Sequence, residues 1–249
     1  MTNANEFAAL HTSAEPLVLF NVWDAGSARA VAGTGAKAIA TGSLSLAGAQ
    51  GFADGEDIPF DALLVTVRQI ADAIDLPLTV DFETGYAADL ASLARNSRAL
   101  QDAGAVGCNL EDGLIGSDGL RPAAEQAARI EAAAKAGLFV NGRTDLFLNP
   151  LMSGEDPNRR ELVDRAIARA EAYRDAGAGC FFVPGLSAPE LIEDLCAAVA
   201  MPVNVMRLDG MPTNAELGRL GVARISHGPG PWRDAMTTLA QAAQAALDG

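Results

Sequence analysis

One phrase recurs along the chain: a helical stretch, then a glycine or proline, then a short apolar run rich in β-formers. It is read at Gly35–Thr41, Pro77–Glu83, Gly104–Glu111, Gly137–Arg143, Gly177–Pro184, Pro202–Met206 and Gly221–Ser226, and Leu17–Val22 precedes them all. These segments predict eight strands. The glycines suit positions just past a helix end, where the left-handed conformation costs glycine little. Between the strands the apolar period changes to that of a helix. Residues 59–74 place Leu63, Val67, Ile70 and Ile74 on one stripe, and residues 157–176 do the same with Leu162, Ala166, Ala170 and Tyr173. Pro122 and Pro157 suit a first helical turn, and Ser187–Glu190 and Thr213–Glu216 read as capping boxes. Strand and helix alternating eight times predict a parallel (β/α)8 TIM-type barrel. The alternative, an open doubly wound sheet, would usually carry a glycine fingerprint after its first strand, where this chain has Trp23-Asp-Ala-Gly-Ser27.

Length and composition narrow the picture. The 249 residues fit one barrel domain spanning 1–249, since such barrels take roughly 250 residues. No linker or low-complexity tract interrupts them. A net charge of −14 argues against nucleic acid and anionic membranes as partners. No signal peptide is visible at the start, and no apolar run approaches the roughly 18 residues of a membrane span. Cys108, Cys180 and Cys196 have no motif spacing and read as free thiols. The expected location is cytoplasmic.

The chemistry of a β/α barrel collects at the carboxyl ends of its strands, and so do the polar residues here. Asp81 and Glu83 end the third strand, Asn109 and Glu111 the fourth, and Asn141, Arg143 and Asp145 the fifth; Asn204 lies in the seventh and His227 follows the eighth. A spacing of two puts each group on one strand face. An apolar strand that turns acidic on its inner face is a poor core and a good cation site. Carboxylates suit a hard ion, Mg²⁺ or Mn²⁺ in its place. The two histidines, His11 and His227, are too few and too far apart for zinc. Asp24 reads equally as a helix N-cap or a site residue, and alternation turns Asp112 away from Glu111. The two lysines, Lys37 and Lys135, fall at the opposite end of the barrel, which argues against a Schiff-base mechanism. Arg143 is either a two-pronged carboxylate binder or the ion-pair partner of Asp145. His227 is a general acid, part of a glycine-rich anion loop, or a polar rim residue. Trp23 and Trp232 read as packing residues.

These segments carry a resemblance. Asn21–Ala28, Ala40–Ser45, Gly51–Gly55, Val80–Tyr86, Asn109–Asp112, Gly142–Asp145 and Arg224–Ser226 resemble, in order, the isocitrate lyase/phosphoenolpyruvate mutase superfamily. The resemblance runs from about residue 17 to 233. It implies a Mg²⁺-binding barrel acting on small 2-oxo or 2-hydroxy carboxylic acids. It implies Asp81 as the direct metal ligand, with Asp54, Glu83 and Glu111 holding the metal's waters. Arg143 would bind the substrate carboxylate, and Thr41, Gly42 and Ser43 would form the loop that receives the carboxylate or 2-oxo oxygen. Asn204 and His227 are further candidates for substrate contact, and Arg143, Asp54 and Glu111 are the candidate catalytic residues. A homo-oligomer, dimer or tetramer, is expected. Many members form tetramers by swapping a C-terminal helix; this chain ends soon after its eighth strand, which leaves the swap open.

The chain also departs from the pattern. Glu83 stands where the family often has Asp. The lyase loop Lys-Lys-Cys-Gly-His after strand four is replaced by Gly113–Arg121, where only Ser117, Asp118 and Arg121 are polar gating candidates. A lyase that must quench a carbanion needs an acid, and this loop offers no Cys, His or Lys. Decarboxylation asks for little beyond a metal-stabilised enolate. The sequence therefore predicts a Mg²⁺-dependent lyase or decarboxylase cleaving a C–C bond. The alternatives are C–P bond chemistry on phosphonopyruvate, which needs more cationic groups than are evident, and a non-catalytic 2-oxo acid binding protein.

Overall fold

The computed structural model describes residues 4–248. Within them the chain runs α1 (Ala4–Ala9), β1 (Leu17–Leu19), α2 (Ala25–Ala32), β2 (Ile39–Ala40), α3 (Ser43–Ala49), α4 (Phe60–Ala71), β3 (Leu78–Asp81), α5 (Leu90–Asp102) and β4 (Gly107–Glu111). It continues through α6 (Ala123–Lys135), β5 (Phe139–Arg143), α7 (Leu148–Met152), α8 (Arg160–Asp175), β6 (Cys180–Val183), α9 (Pro189–Ala198), β7 (Val203–Met206), α10 (Asn214–Arg219), β8 (Val222–Ser226) and α11 (Gly230–Asp248). All eight strands pair in parallel in the order β1-β8-β7-β6-β5-β4-β3-β2. A parallel bridge between Val22 and Thr41 closes β1 onto β2, so the expected (β/α)8 barrel is present.

Each predicted strand appears, trimmed at its ends. The punctuating glycines do what their placement predicts: Gly35, Gly104, Gly137, Gly177 and Gly221 all have positive φ. At Gly104 a Cβ would also come within 2.5 Å of the Ala71 Cβ, so both conformation and space require glycine. Thr213 and Glu216 form the predicted capping box, and Asp24 proves to be the N-cap of α2, accepting from the Ser27 N–H at 2.7 Å. The Ser187 box is corrected. Ala188 is the N-cap of α9, and Asn158 Oδ1 accepts the backbone N–H groups of Ser187 and Ala188 instead. Pro157 precedes α8, which starts only at Arg160. The 19-residue α11 fills the tail after β8; apart from Pro231 it has no buried residue, and Leu239 and Leu247 lie exposed on it. No helix among the described residues is long and apolar enough to cross a membrane.

The barrel interior changes character along its axis. At the amino end, α1 plugs the opening: Phe7 is fully buried and stands edge-on to Phe139, with ring centroids 5.2 Å apart. Leu17, Leu19, Ala38, Ala40 and Cys180 pack with it. Higher up, the inward positions become polar, with Asn109, Asn141, Asn204, Arg224 and Ser226 all buried. The helices pack outside on Val80, Leu110, Val140, Phe181 and Val205. Alternation along each strand thus seals one face in hydrocarbon and aims the other at the barrel axis.

Candidate active site

Asp81 ends β3 and is held on three sides. Its backbone N–H donates to Thr41 Oγ1 at 3.0 Å. Oδ2 accepts from the Ser43 N–H at 3.1 Å, and Oδ1 accepts from Asn109 Nδ2 at 3.2 Å. Asp54 reaches the same cavity from the loop before α4, hydrogen-bonded to the Ser43 side chain. Partial desolvation and the charge of Asp81 raise its pKa, against the Ser43 bond and Arg143.

Glu83 lies two residues beyond the end of β3, so its position follows from a turn and not from strand alternation. Its φ is 49°, in the left-handed region. Burial above all, then the charges of Asp81 and Asp54, push its pKa up to about 8. Two donors hold it: the Tyr86 hydroxyl on Oε1 and the Glu56 N–H on Oε2, both at 2.9 Å. Glu56, which nothing in the sequence singled out, returns the contact. Its Oε1 accepts from the Thr84 N–H, the Thr84 hydroxyl and the Tyr86 N–H at 3.0, 2.7 and 2.8 Å. Glu56, Glu83 and Tyr86 are the three non-glycine residues with positive φ among the described residues. Strain of this kind persists where surrounding contacts over-determine it, and it gathers at functional sites.

Arg143 at the end of β5 resolves the choice left by the sequence in an unexpected way, because the ion pair with Asp145 exists and does not exhaust the guanidinium. Nε and Nη2 donate to Asp145 Oδ1 and Oδ2 at 2.6 and 3.2 Å, and Nη1 pairs with Glu111 Oε2 at 2.6 Å. Of five N–H groups, two are spent in hydrogen bonds to Asp145, the contact with Glu111 is an ion pair without a hydrogen bond, and the side chain borders the cavity. Burial works against this charge, but Asp145 and Glu111 more than offset it, so Arg143 stays a cation. Burial drives Glu111 upward, against the pull of Arg143. Asp112 points the other way, as alternation predicts: it is fully buried, takes the Tyr173 hydroxyl at 2.7 Å and Arg169 at 3.0 Å, and anchors the Asp145 N–H at 2.9 Å.

A cavity of about 520 Å³ opens at the carboxyl ends of the strands. Gly42, Ser43, Asp54, Asp81, Asn109 and Arg143 line one side; Arg207, His227 and Arg233 line another; Leu148, Phe182, Met206 and Leu208 supply apolar wall. His227 is half-buried, its pKa lowered by desolvation and by Arg207. Its N–H and that of Gly228 both donate to Asn21 Oδ1, while Asn21 Nδ2 donates to the Thr41 carbonyl at 2.7 Å, so Asn21 staples the mouth where β1, β2 and β8 meet. Thr41 spends its hydroxyl on Asp81, and Asn204 lies within the barrel on Ser226. Lys37 and Lys135 pair at the surface with Glu15 and Glu131. The loop after β4 folds back on itself through a Gly113–Leu120 bridge.

These donors fit a hard cation. Four carboxylates, those of Asp54, Asp81, Glu83 and Glu111, lie close enough to sense one another's charge, and burial first, then neighbouring negative charge, raises the pKa of Asp54, Glu83 and Glu111. All the donors are oxygen. Among the described residues no three acidic, histidine or cysteine side chains converge tightly enough to cage an ion. Mg²⁺ asks for no such cage, since it keeps several waters and takes one or two direct carboxylates.

Comparison with known proteins agrees with the barrel fold. The profile of the Phosphoenolpyruvate phosphomutase family matches residues 7–247. An uncharacterised protein of Mycobacterium tuberculosis (strain ATCC 25618 / H37Rv) is 34% identical over 247 residues, covering 98% of this chain and 89% of the relative. The 2-methylisocitrate lyase of Escherichia coli (strain K12) is 30% identical over 224 residues, covering 87% and 75%. The crystal structure of a candidate phosphonomutase from Burkholderia cenocepacia J2315 superposes with a TM-score of 0.92 at 48% identity, covering 97% of this chain and 99% of that one. By sequence profile and fold alike, the chain belongs to the phosphoenolpyruvate phosphomutase family, within the isocitrate lyase/phosphoenolpyruvate mutase superfamily.

Proposed function

We propose that the protein is a Mg²⁺-dependent carbon–carbon lyase or decarboxylase acting on a small 2-oxo or 2-hydroxy carboxylic acid in the cytoplasm, as a homo-oligomer. The observation that carries this reading is the cavity bordered by both Asp81 and the partly unsatisfied Arg143. Asp81 would hold the ion directly, with Asp54, Glu83 and Glu111 on its waters. A bound Mg²⁺ supplies a Lewis acid that neutralises negative charge developing on the 2-oxo oxygen. Arg143 has N–H groups left to orient a carboxylate, and Glu111 with Asp145 keeps its fork in one plane. The apolar wall excludes water from the bond being broken. The E. coli relative is named for lyase chemistry of this kind.

A second reading, C–P chemistry on phosphonopyruvate, gains from Arg207 and Arg233 on the cavity wall, which add cationic groups for a phosphoryl oxygen. Against it, Arg207 already donates to the Pro212 carbonyl at 2.6 Å and to Asn214, and Arg233 is exposed. The test is turnover of purified protein with Mg²⁺ on oxaloacetate, 2-methylisocitrate, 2,3-dimethylmalate and phosphonopyruvate. Cleavage of one of the first three supports the proposal. Conversion of phosphonopyruvate alone, to phosphoenolpyruvate or to pyruvate and phosphate, supports the second reading, and binding without turnover leaves a 2-oxo acid binding protein.

A further inference from the structure

Arg224 is 1% exposed, inside the barrel on β8. It takes part in none of the ion pairs among the described residues. Its Nη1 has no hydrogen-bond partner, and Nε reaches only Ser226 Oγ at 3.4 Å. A guanidinium so placed stabilises the fold poorly, because desolvation is not repaid by a partnered carboxylate.

The remaining contact indicates what the side chain does. Nη2 donates to Asn109 Oδ1 at 3.1 Å, and Asn141 Nδ2 donates to the same oxygen at 2.8 Å. An asparagine amide has two orientations, and the hydrogen bonds around it decide between them. Two donors on one side force the oxygen there. The amide nitrogen then faces Asp81 and donates to its Oδ1 at 3.2 Å. The flipped amide would set N–H against N–H twice and oxygen against carboxylate once.

We infer that Arg224 is a positioning residue for the cation site: it locks the Asn109 amide so that Asp81 holds its carboxylate in a single orientation toward the ion. The inference rests on the metal reading above and extends it two side chains into the barrel, through Asn109 to Arg224. A partner bonded directly to a ligand, as Asn109 is to Asp81, is worth about 10-fold or more in metal affinity, and Arg224 acts one contact further out.

The test uses Mn²⁺ titrated by calorimetry into the wild-type protein, Arg224→Met, Asn109→Ser and the double variant, with each Tm measured. Methionine keeps much of the volume and removes the charge and the donors. The expected result is a Kd for Mn²⁺ raised roughly 3- to 10-fold in Arg224→Met, up to the lower bound for a direct partner of a ligand, with Tm unchanged or higher. In the Asn109→Ser background, Arg224→Met should change the Kd by less than about two-fold, since the intermediary is gone. Three outcomes would overturn the inference. One is wild-type Mn²⁺ affinity in Arg224→Met. Another is an equal effect with and without Asn109. The third is failure to fold, or a Tm lowered by more than about 5 °C, which would make Arg224 a structural residue. Wild-type protein that takes up no Mn²⁺ would overturn the metal reading itself, and this inference with it.

Discussion

The backbone N–H of Glu56 donates to Glu83 Oε2 at 2.9 Å, while the Glu56 carboxylate holds the N–H groups of Thr84 and Tyr86. Two loops, one bearing Asp54 and one bearing Glu83, are thereby fastened in both directions. Glu56→Ala removes an acceptor from three donors and should cost about 1.5–3 kcal/mol. Glu56→Gly loses the same acceptor but relieves the left-handed backbone, where φ is 61°, and should be about 1 kcal/mol more stable than the alanine variant. Urea denaturation of both variants measures the difference. Alanine and glycine variants of equal stability would show that the backbone is not strained there.

His11 gives the fold a pH dependence at the end of the barrel away from the site. Its ring stacks on Phe139 at 4.5 Å, Nδ1 bonds the Phe7 carbonyl at 3.0 Å, and Nε2 is buried without a partner. Burial, then the charge of Arg224, lowers its pKa to about 3. The unfolded chain therefore binds a proton at His11 below about pH 6.5 that the folded chain refuses. Its contribution is intact above that pH and is lost as pH falls toward 3, at up to about 1.4 kcal/mol per pH unit. Denaturant titrations from pH 7 to 5 should show His11→Leu losing less stability than wild type. Parallel slopes would mean that His11 takes up its proton in the folded state.

The barrel was legible because its signals are local. A glycine past a helix end and an apolar run after it need no distant partner, and Asp81 and Arg143 stand out as charges at the ends of such runs. Glu83 was found for a reason that does not hold, since a left-handed turn and not strand alternation places it. The Ser187 box failed because Asn158, 29 residues earlier, competes for the same N–H groups. Glu56 reads as one more loop acid until the fold brings it to residues 28 and 30 positions later. Arg207 and Arg233 come from separate elements, and only closure of the barrel brings both to the cavity.

The cysteines should be chemically silent. Burial pushes Cys108, Cys180 and Cys196 each up to about 12. A thiol reagent at pH 7.5 should label none of them in the native protein and all three after denaturation. Replacing all three with alanine should leave activity within a few-fold. A folded Cys108→Ala variant without turnover would reveal a thiol acid that the geometry does not predict.

Asp81 carries the metal reading. Two hydrogen bonds fix its carboxylate beside the cavity and a third holds its backbone N–H, and neighbouring carboxylates leave excess negative charge there. Asp81→Ala should weaken Mg²⁺ or Mn²⁺ binding by more than the roughly 10- to 100-fold typical of an outer contact. Calorimetric titration decides it, and unchanged affinity would remove the assignment.

Arg143 should not tolerate lysine. The guanidinium spends two N–H groups on Asp145, pairs by charge with Glu111 and keeps the remaining donors for a ligand, and its plane is fixed by the fork to Asp145. An ammonium has three donors in all, so meeting both carboxylates leaves at most one for a substrate. Losing a charge-assisted bond in a dry site costs about 1.5–3 kcal/mol, roughly 10- to 150-fold in kcat/KM. The way that loss divides identifies the role. If Arg143 only seats the substrate carboxylate, KM rises and kcat holds; if it also steadies charge developing in the transition state, kcat falls as well. Steady-state kinetics of Arg143→Lys on the acid that proves active, with circular dichroism to verify folding, separate these. Wild-type kcat and KM in a folded variant would mean that Arg143 serves only to bind Asp145 and Glu111 to each other.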